Sequence, residues 1–339
     1  MSSSLLSDGI LKFATQYSIY TGCITFSFGV IGNVLNLLVF TQLKLFRTNR
    51  CAFYITIESI CNFIYQFFFI SLTMLIVIYG DDATGRSLIW CKLRYILGQT
   101  FALTTFYMIC FTTVDQFFST NYRLNLRQMC TLKLGRYFAF IFICFAIIHS
   151  IALGSSFNIY PTFGCVISDH TWVQYSTYFF YPILSGFLPI IIASTFSMLA
   201  YHNVRHIVRR QLPIVRRKLD KQITAMVLMR VIAYVCLVSP YNIYRIYAVN
   251  FPTSRSVPMA YAVGRLIQSI LLSINNINFV INFYLFIIFS SRFRRQVKLV
   301  LVKKCWQRWK YWCCHINNRI EPDNNIEAHN SQMESEGTL

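Results

Sequence analysis

Residues 13–43 read FATQYSIYTGCITFSFGVIGNVLNLLVFTQL, thirty-one positions without an Asp, Glu, Lys, Arg or His. A helix needs about 20 largely apolar residues to cross a bilayer core. A soluble helix of this length would carry charge on its wet face. The run therefore reads as a membrane span, and six more follow it. Residues 51–80 carry one charge, Glu58; residues 95–114 carry none; residues 137–158 and 171–204 carry no Asp, Glu, Lys or Arg. Residues 223–249 contain only Arg230 and Arg245, and residues 266–291 are again uncharged. A transmembrane β-barrel would instead show alternating segments of about 10 residues.

The rest of the composition agrees. The chain of 339 residues is 55% hydrophobic, 17% aromatic and 13% charged, against about 25% charged for soluble domains. Disordered, collagen-like and small disulfide-scaffold classes are excluded. The net charge of +19 could suggest nucleic acid, but the cations lie in short stretches between apolar runs, so no nucleic-acid partner is expected. Twenty-three of the 31 Lys and Arg fall in the segments after the first, third, fifth and seventh runs, and five fall on the other side. Cytoplasmic loops collect Lys and Arg, which predicts the N-terminus outside and the C-terminus inside. No basic segment and small-residue cleavage site precede the first run, so no cleaved leader is expected.

The predicted architecture is an all-α integral membrane bundle of seven helices. Residues 1–16 form a short extracellular N-terminus, 17–289 the seven-span body, 290–302 an amphipathic helix on the inner interface, and 303–339 a cytoplasmic tail. In 290–302, Phe293, Val297 and Val300 recur at helical spacing while Arg292, Arg294, Arg295 and Lys298 take other faces, the pattern of a helix lying in a lipid interface. Membrane lipid is thus an expected partner. Cys305, Cys313 and Cys314 sit among Trp, Tyr, Lys and Arg, a setting for S-palmitoylation or for an unmodified interfacial tail. Of the remaining cysteines only Cys91 and Cys165 stand at outer ends, where the compartment is oxidising; a disulfide between them is predicted, tying the loop 159–169 across the bundle mouth.

Ionisable and strongly polar groups inside spans are functional candidates by default. Here they are Asn33, Glu58, Asn62, Thr105, Asp115, Arg230, Asn275, Asn276, Asn278 and Asn282. Glu58 and Asn62 share a helix face, as do Asn275, Asn278 and Asn282. They predict a polar seam in mid-bundle, or simply Asn residues gluing helices together. Arg230 is expected to pair with Glu58 or Asp115, or to snorkel to the inner headgroups. The six histidines offer only His202 and His206 on one face, so neither a metal nor another cofactor nor an enzyme activity is expected. In the outer half, Arg94, Gln99, Tyr241, Asn242, Arg245, Arg265 and Gln268 are candidate ligand contacts, because Arg beside aromatics suits a carboxylate, an amidated peptide terminus or a sulfated group.

Gly32-Asn33-Val34, the Cys91 to Asp115 spacing, Pro189, Pro240 and Asn282, in this order on seven N-out spans, resemble the rhodopsin-like (class A) G-protein-coupled receptors, from about residue 29 to 298. That resemblance implies an extracellular ligand, a peptide by preference as in neuropeptide receptors, and a heterotrimeric G protein at the plasma membrane. It implies outward movement of the sixth helix about Pro240, opening a cleft lined by Arg123, Arg127, Arg209, Arg217 and Lys221. The sequence departs from the family at several motifs. Asp115-Gln116-Phe117 stands for its Asp-Arg-Tyr, Asn62 for its second-helix Asp, Val238 for the Trp before Pro240, and Asn282-Phe283 for Asn-Pro. Asp220 matches the acid that would pair with the missing arginine, so Gln116, Asp220 and Arg230 join the switch candidates. A receptor fold that binds ligand without coupling, and a channel or transporter, are the competing classes.

Overall fold

The computed structural model describes residues 2–42, 50–72, 87–121, 123–129, 131–160, 164–167, 169–207, 214–251 and 257–305. Met1–Arg294 forms one compact unit and Arg295–Leu339 a second. The described chain is almost wholly helical. Helix α1 (Ser2–Gln42) runs unbroken through the expected boundary at residue 16. Helix α2 (Arg50–Tyr65) continues as a π-helical turn, Gln66–Ile70. Helix α3 (Leu88–Thr120) is followed by the short α4 (Leu124–Met129) and by α5 (Leu132–Ser155).

Helix α5 stops before the expected limit at 158. Gly154-Ser155-Ser156 is a weak helix sequence, and the Ser155 and Ser156 hydroxyls donate to the Ala152 and Leu153 carbonyls at 2.7 and 2.6 Å, drawing acceptors away from the backbone ladder. The chain then forms an antiparallel hairpin of β1 (Phe157–Tyr160) and β2 (Gly164–Ile167). Gly164 carries φ +77°, a conformation open to glycine. The sequence shows this stretch only as a loop. The Cys91–Cys165 disulfide is present, with Cα atoms 5.8 Å apart, and pins the hairpin to the first turn of α3.

Helix α6 (His170–Tyr175) is capped by Asp169, which accepts from the Thr171 amide at 2.8 Å. It passes into a π-helical stretch, Ser176–Phe187, containing Pro182, whose missing N–H breaks the regular ladder. Helix α7 (Leu188–Ile207) completes that rod. Helix α8 (Ile214–Asn250) contains Pro240. Helices α9 (Pro258–Asn278) and α10 (Asn282–Phe289) are bent by 53° at a short break. Helix α11 (Ser291–Lys298) follows an extended Ser290 and continues as π-helix to Cys305.

Among the described residues five helices are long and apolar enough to cross a membrane, and six when α9 and α10 count as one bent span. The protein is a helical membrane protein. Its surface agrees: Phe140, Ile148 and Ile151 on α5 are 65%, 69% and 51% exposed, which favours hydrocarbon over water as their surroundings. Helices α1, α2, α3, α7, α8 and α9 pack each on the next, and α9 returns to α1, closing a ring; α5 lies against α3 and α2. The core centres on α3, where Leu103, Phe106, Tyr107, Ile109 and Cys110 meet Tyr65, Phe180, Tyr181, Leu184, Tyr234 and Phe279. Of the free cysteines among the described residues, Cys51, Cys61 and Cys110 are buried, whereas Cys23 and Cys236 are exposed.

Candidate ligand cavity and buried charge pair

Three polar layers follow one another along the ring. At the disulfide end a cavity of about 70 Å³ is lined by Tyr65, Tyr95, Gly98, Gln99, Ala102, Phe106, Tyr181, Ser185, Tyr241, Asn242, Arg245 and Asn275. Tyr95 stacks on Phe157 of the hairpin with ring centroids 3.8 Å apart, so the disulfide-tied strand forms one shoulder of it. The Arg245 guanidinium donates from Nε and Nη2 to the Tyr181 hydroxyl at 3.1 and 2.7 Å, and lies over the same ring at 5.1 Å. Asn242 Nδ2 donates to the Ser185 carbonyl at 3.0 Å, a carbonyl within the π-helical stretch.

Of the sequence-derived ligand candidates, Gln99, Tyr241, Asn242 and Arg245 line this cavity, whereas Arg94, Arg265 and Gln268 do not. Arg265 Nη1 donates to Gln268 Oε1 at 3.3 Å on an exposed face of α9. The i, i+3 spacing lets the two satisfy each other there. Tyr65, Tyr95, Tyr181 and Phe106, not singled out in the sequence, also line it. Aromatic residues are too common in this chain for type alone to mark them.

Beneath the cavity lies an aromatic layer. Tyr65 stacks on Phe279 at 4.2 Å, and Phe106 lies 5.3 Å from Tyr234 and 6.2 Å from Phe279. Under it, Arg230 and Glu58, 3% and 2% exposed, form an ion pair at 2.7 Å. Arg230 Nε and Nη2 both donate to Glu58 Oε1, at 3.1 and 2.7 Å. Its Nη1 donates to Asn278 Oδ1 at 2.7 Å and its Nη2 to the Asn278 carbonyl at 3.2 Å. Asn282 Nδ2 donates to the same Glu58 oxygen at 2.8 Å. Four donors thus come from two side chains on α8 and α10, and α2 supplies the acid. Arg230 pairs with Glu58 rather than Asp115 and does not snorkel, because a full set of acceptors surrounds it in the bundle. Asn62 belongs to the same layer, accepting from the Thr105 hydroxyl at 2.8 Å.

Asn33 Nδ2 donates to the carbonyls of Gly29 and Phe279 at 3.0 Å and to Gln66 Oε1 at 3.4 Å. Gln66 Nε2 donates to the Phe279 carbonyl at 3.1 Å. Two amides therefore hold one carbonyl at the α9–α10 break. A Cβ at position 29 would collide with the Gln66 side chain, so Gly29 makes room for this arrangement. Gln66 and the fully buried Asn36 were not among the sequence candidates. The signal for Gln66 existed, since 58, 62 and 66 continue one four-residue row.

The third layer is at the basic end. Asp115 Oδ1 meets Arg50 Nε at 3.2 Å, and the Cys51 thiol points at Asp115 Oδ2 and Gln116 Oε1, 3.4 and 3.2 Å away. Gln116 Nε2 donates to the Thr224 hydroxyl of α8 at 2.7 Å. Arg123 and Lys221 are exposed and Arg127 is half-buried. Arg209, Cys313 and Cys314 lie outside the described residues, as do the side chains of Arg217, Asp220, Arg292 and Cys305. Pro240 sits inside α8, between Arg230 and Arg245. The chain matches no protein-family model and no curated protein.

Proposed function

We propose that this chain is a seven-helix receptor of the plasma membrane, resembling the rhodopsin-like G-protein-coupled receptors, with α2 as the remaining span, α11 as an amphipathic eighth helix and the N-terminus outside. A ligand, a peptide by preference, enters at the disulfide end. The observation that carries the reading is the stacking along one ring of helices of an aromatic-walled cavity, an aromatic layer and the buried Arg230–Glu58 pair, with α8 taking part in all three. Arg245 and Arg230 are 15 residues apart on α8, about 22 Å at 1.5 Å per residue. A group bound at Arg245 therefore acts on the same rod whose far half is held by Glu58, Asn278 and, through Thr224, Gln116. Ligand binding shifts the population towards a state in which α8 pivots at Pro240 and these contacts break. The basic end, with Arg123, Arg127 and Lys221, then receives a heterotrimeric G protein.

A G-protein dissociation assay in cells, against a broad peptide and small-molecule panel, tests this reading. Arg230→Gln, which removes the ion pair, should raise ligand-free dissociation several-fold per receptor at the surface. A second reading, ligand binding without coupling, is favoured by Gln116 at the position of the family's arginine. It stands if no G-protein class responds to Arg230→Gln or to the panel while the cavity still binds.

A further inference from the structure

We infer that the cavity under the hairpin is a receptor for a carboxylate flanked by an N–H donor, the group found at the free end of a peptide or on an N-acyl amino acid. The inference rests on the receptor reading above and names the chemistry of its ligand. Its first support is charge. Among the described lining residues Arg245 is the one charged side chain, and its hydrogen bonds go to a neutral phenol, Tyr181. A half-buried guanidinium with a phenol as its hydrogen-bond partner suits an anion, and its fork matches the two oxygens of a carboxylate. An amidated terminus would bring no counter-charge. A phosphate carries nearly two charges, and the described lining residues offer it the one guanidinium of Arg245.

The second support is an acceptor. Asn275 is 5% exposed and lines the cavity, and its Oδ1 has no hydrogen-bond partner. That oxygen is closed off in the cavity wall, and a turn of the side chain about its Cβ–Cγ bond brings it to a ligand donor, relieving the cost of leaving it unmet. The third support is size and wall. About 70 Å³ suits a head group rather than a whole peptide, and Tyr65, Tyr95, Tyr181 and Tyr241 offer ring faces and hydroxyls to a short backbone segment. The ligand's remainder would lie towards Tyr95 and the hairpin.

The full-length protein in detergent, melted with N-acetylglycine, its neutral amide N-acetylglycinamide and the ester isostere acetoxyacetate, tests the assignment without any signalling readout. Saturating N-acetylglycine should raise the Tm by about 2–4 °C, the amide should not, and acetoxyacetate should bind about fivefold more weakly for want of its N–H. Arg245→Gln should abolish the acid-over-amide preference, Arg245→Lys should keep part of it, and Asn275→Ala should erase the difference between acid and ester. Stabilisation by a free-carboxyl tetrapeptide as well supports a peptide terminus; stabilisation by the small acid alone supports a metabolite acid. Equal shifts with acid and amide on the unaltered protein, or no shift with either the small acid or the tetrapeptide, overturn the carboxylate assignment whether or not the variants fold. Because the test reads binding alone, a positive shift with no G-protein response would sink the coupling and leave the site standing.

Discussion

Glu58 Oε1 accepts from Arg230 Nε, Arg230 Nη2 and Asn282 Nδ2 at once. Between α2, α8 and α10 there is little solvent to replace a lost partner. Removing one charge leaves the other buried and uncompensated, which costs about 3–5 kcal/mol, whereas replacing both with apolar groups of similar volume is often near neutral. Glu58→Leu and Arg230→Met should therefore each lower the melting temperature of purified protein sharply, and the double variant should melt above either single. Strict additivity of the two losses would mean that the groups do not interact. Asp115 behaves differently. Its partner Arg50 is at the helix end, 19% exposed, so water can take over part of that pair, and Arg50→Gln should be the milder change.

At the scale of the helix, the break between α9 and α10 happens without the proline that the resembled family carries there. Phe283 follows Asn282, and the carbonyl at the bend is held from two sides by Asn33 of α1 and Gln66 of the turn that extends α2. Either amide alone leaves that carbonyl satisfied. Gln66→Leu and Asn33→Leu should each cost about 1 kcal/mol, and the pair more than their sum, because only then does a buried acceptor go bare. A thermal melt of the three variants reads this directly, and a double variant no worse than the sum would show that the carbonyl is not shared. Glu58 and Asn62 were legible in the sequence as one face of a helix, though the next step of that row, Gln66, was not taken up; Arg230 was legible as paired or snorkelling, and Cys91–Cys165 as a bridge. Tyr181 and Ser185 were not. They stand on a π-helical stretch, Ser176–Phe187, where five-residue hydrogen bonding shifts side chains off the 3.6-residue pattern. Nor could spacing tell that Arg245 turns into the cavity while Arg265 turns out. Near a helix end both orientations fit the same pattern, and for Arg245 the neighbouring π-helical stretch that carries Tyr181 decides.

For the whole molecule, the parity of crossings fixes where the two ends lie. Among the described residues five helices, or six with the bent pair, are long and apolar enough by themselves; an even total would leave both termini on one side. Helix α2 decides the matter. Its regular part is 16 residues, short of a span, but with the π-helical turn and the residues after it the helix runs from 50 to 72, roughly 33 Å at a helical rise against a hydrocarbon core of about 30 Å. Its first residue, Arg50, pairs with Asp115 near the basic end of α3, and Gln66 reaches the bend of the α9–α10 rod. The helix therefore rises beside α3 in the opposite sense instead of turning back. Counted as a crossing, it makes the proposed seven, for which the distribution of Lys and Arg predicts an N-terminus outside. An epitope at the N-terminus should be labelled on intact cells, and one at the C-terminus only after the membrane is opened. Labelling of both ends on intact cells, or of neither, would make α2 a re-entrant segment, separate the Arg123 face from the cytosol or the cavity from the outside, and remove the physical basis for transmission along α8.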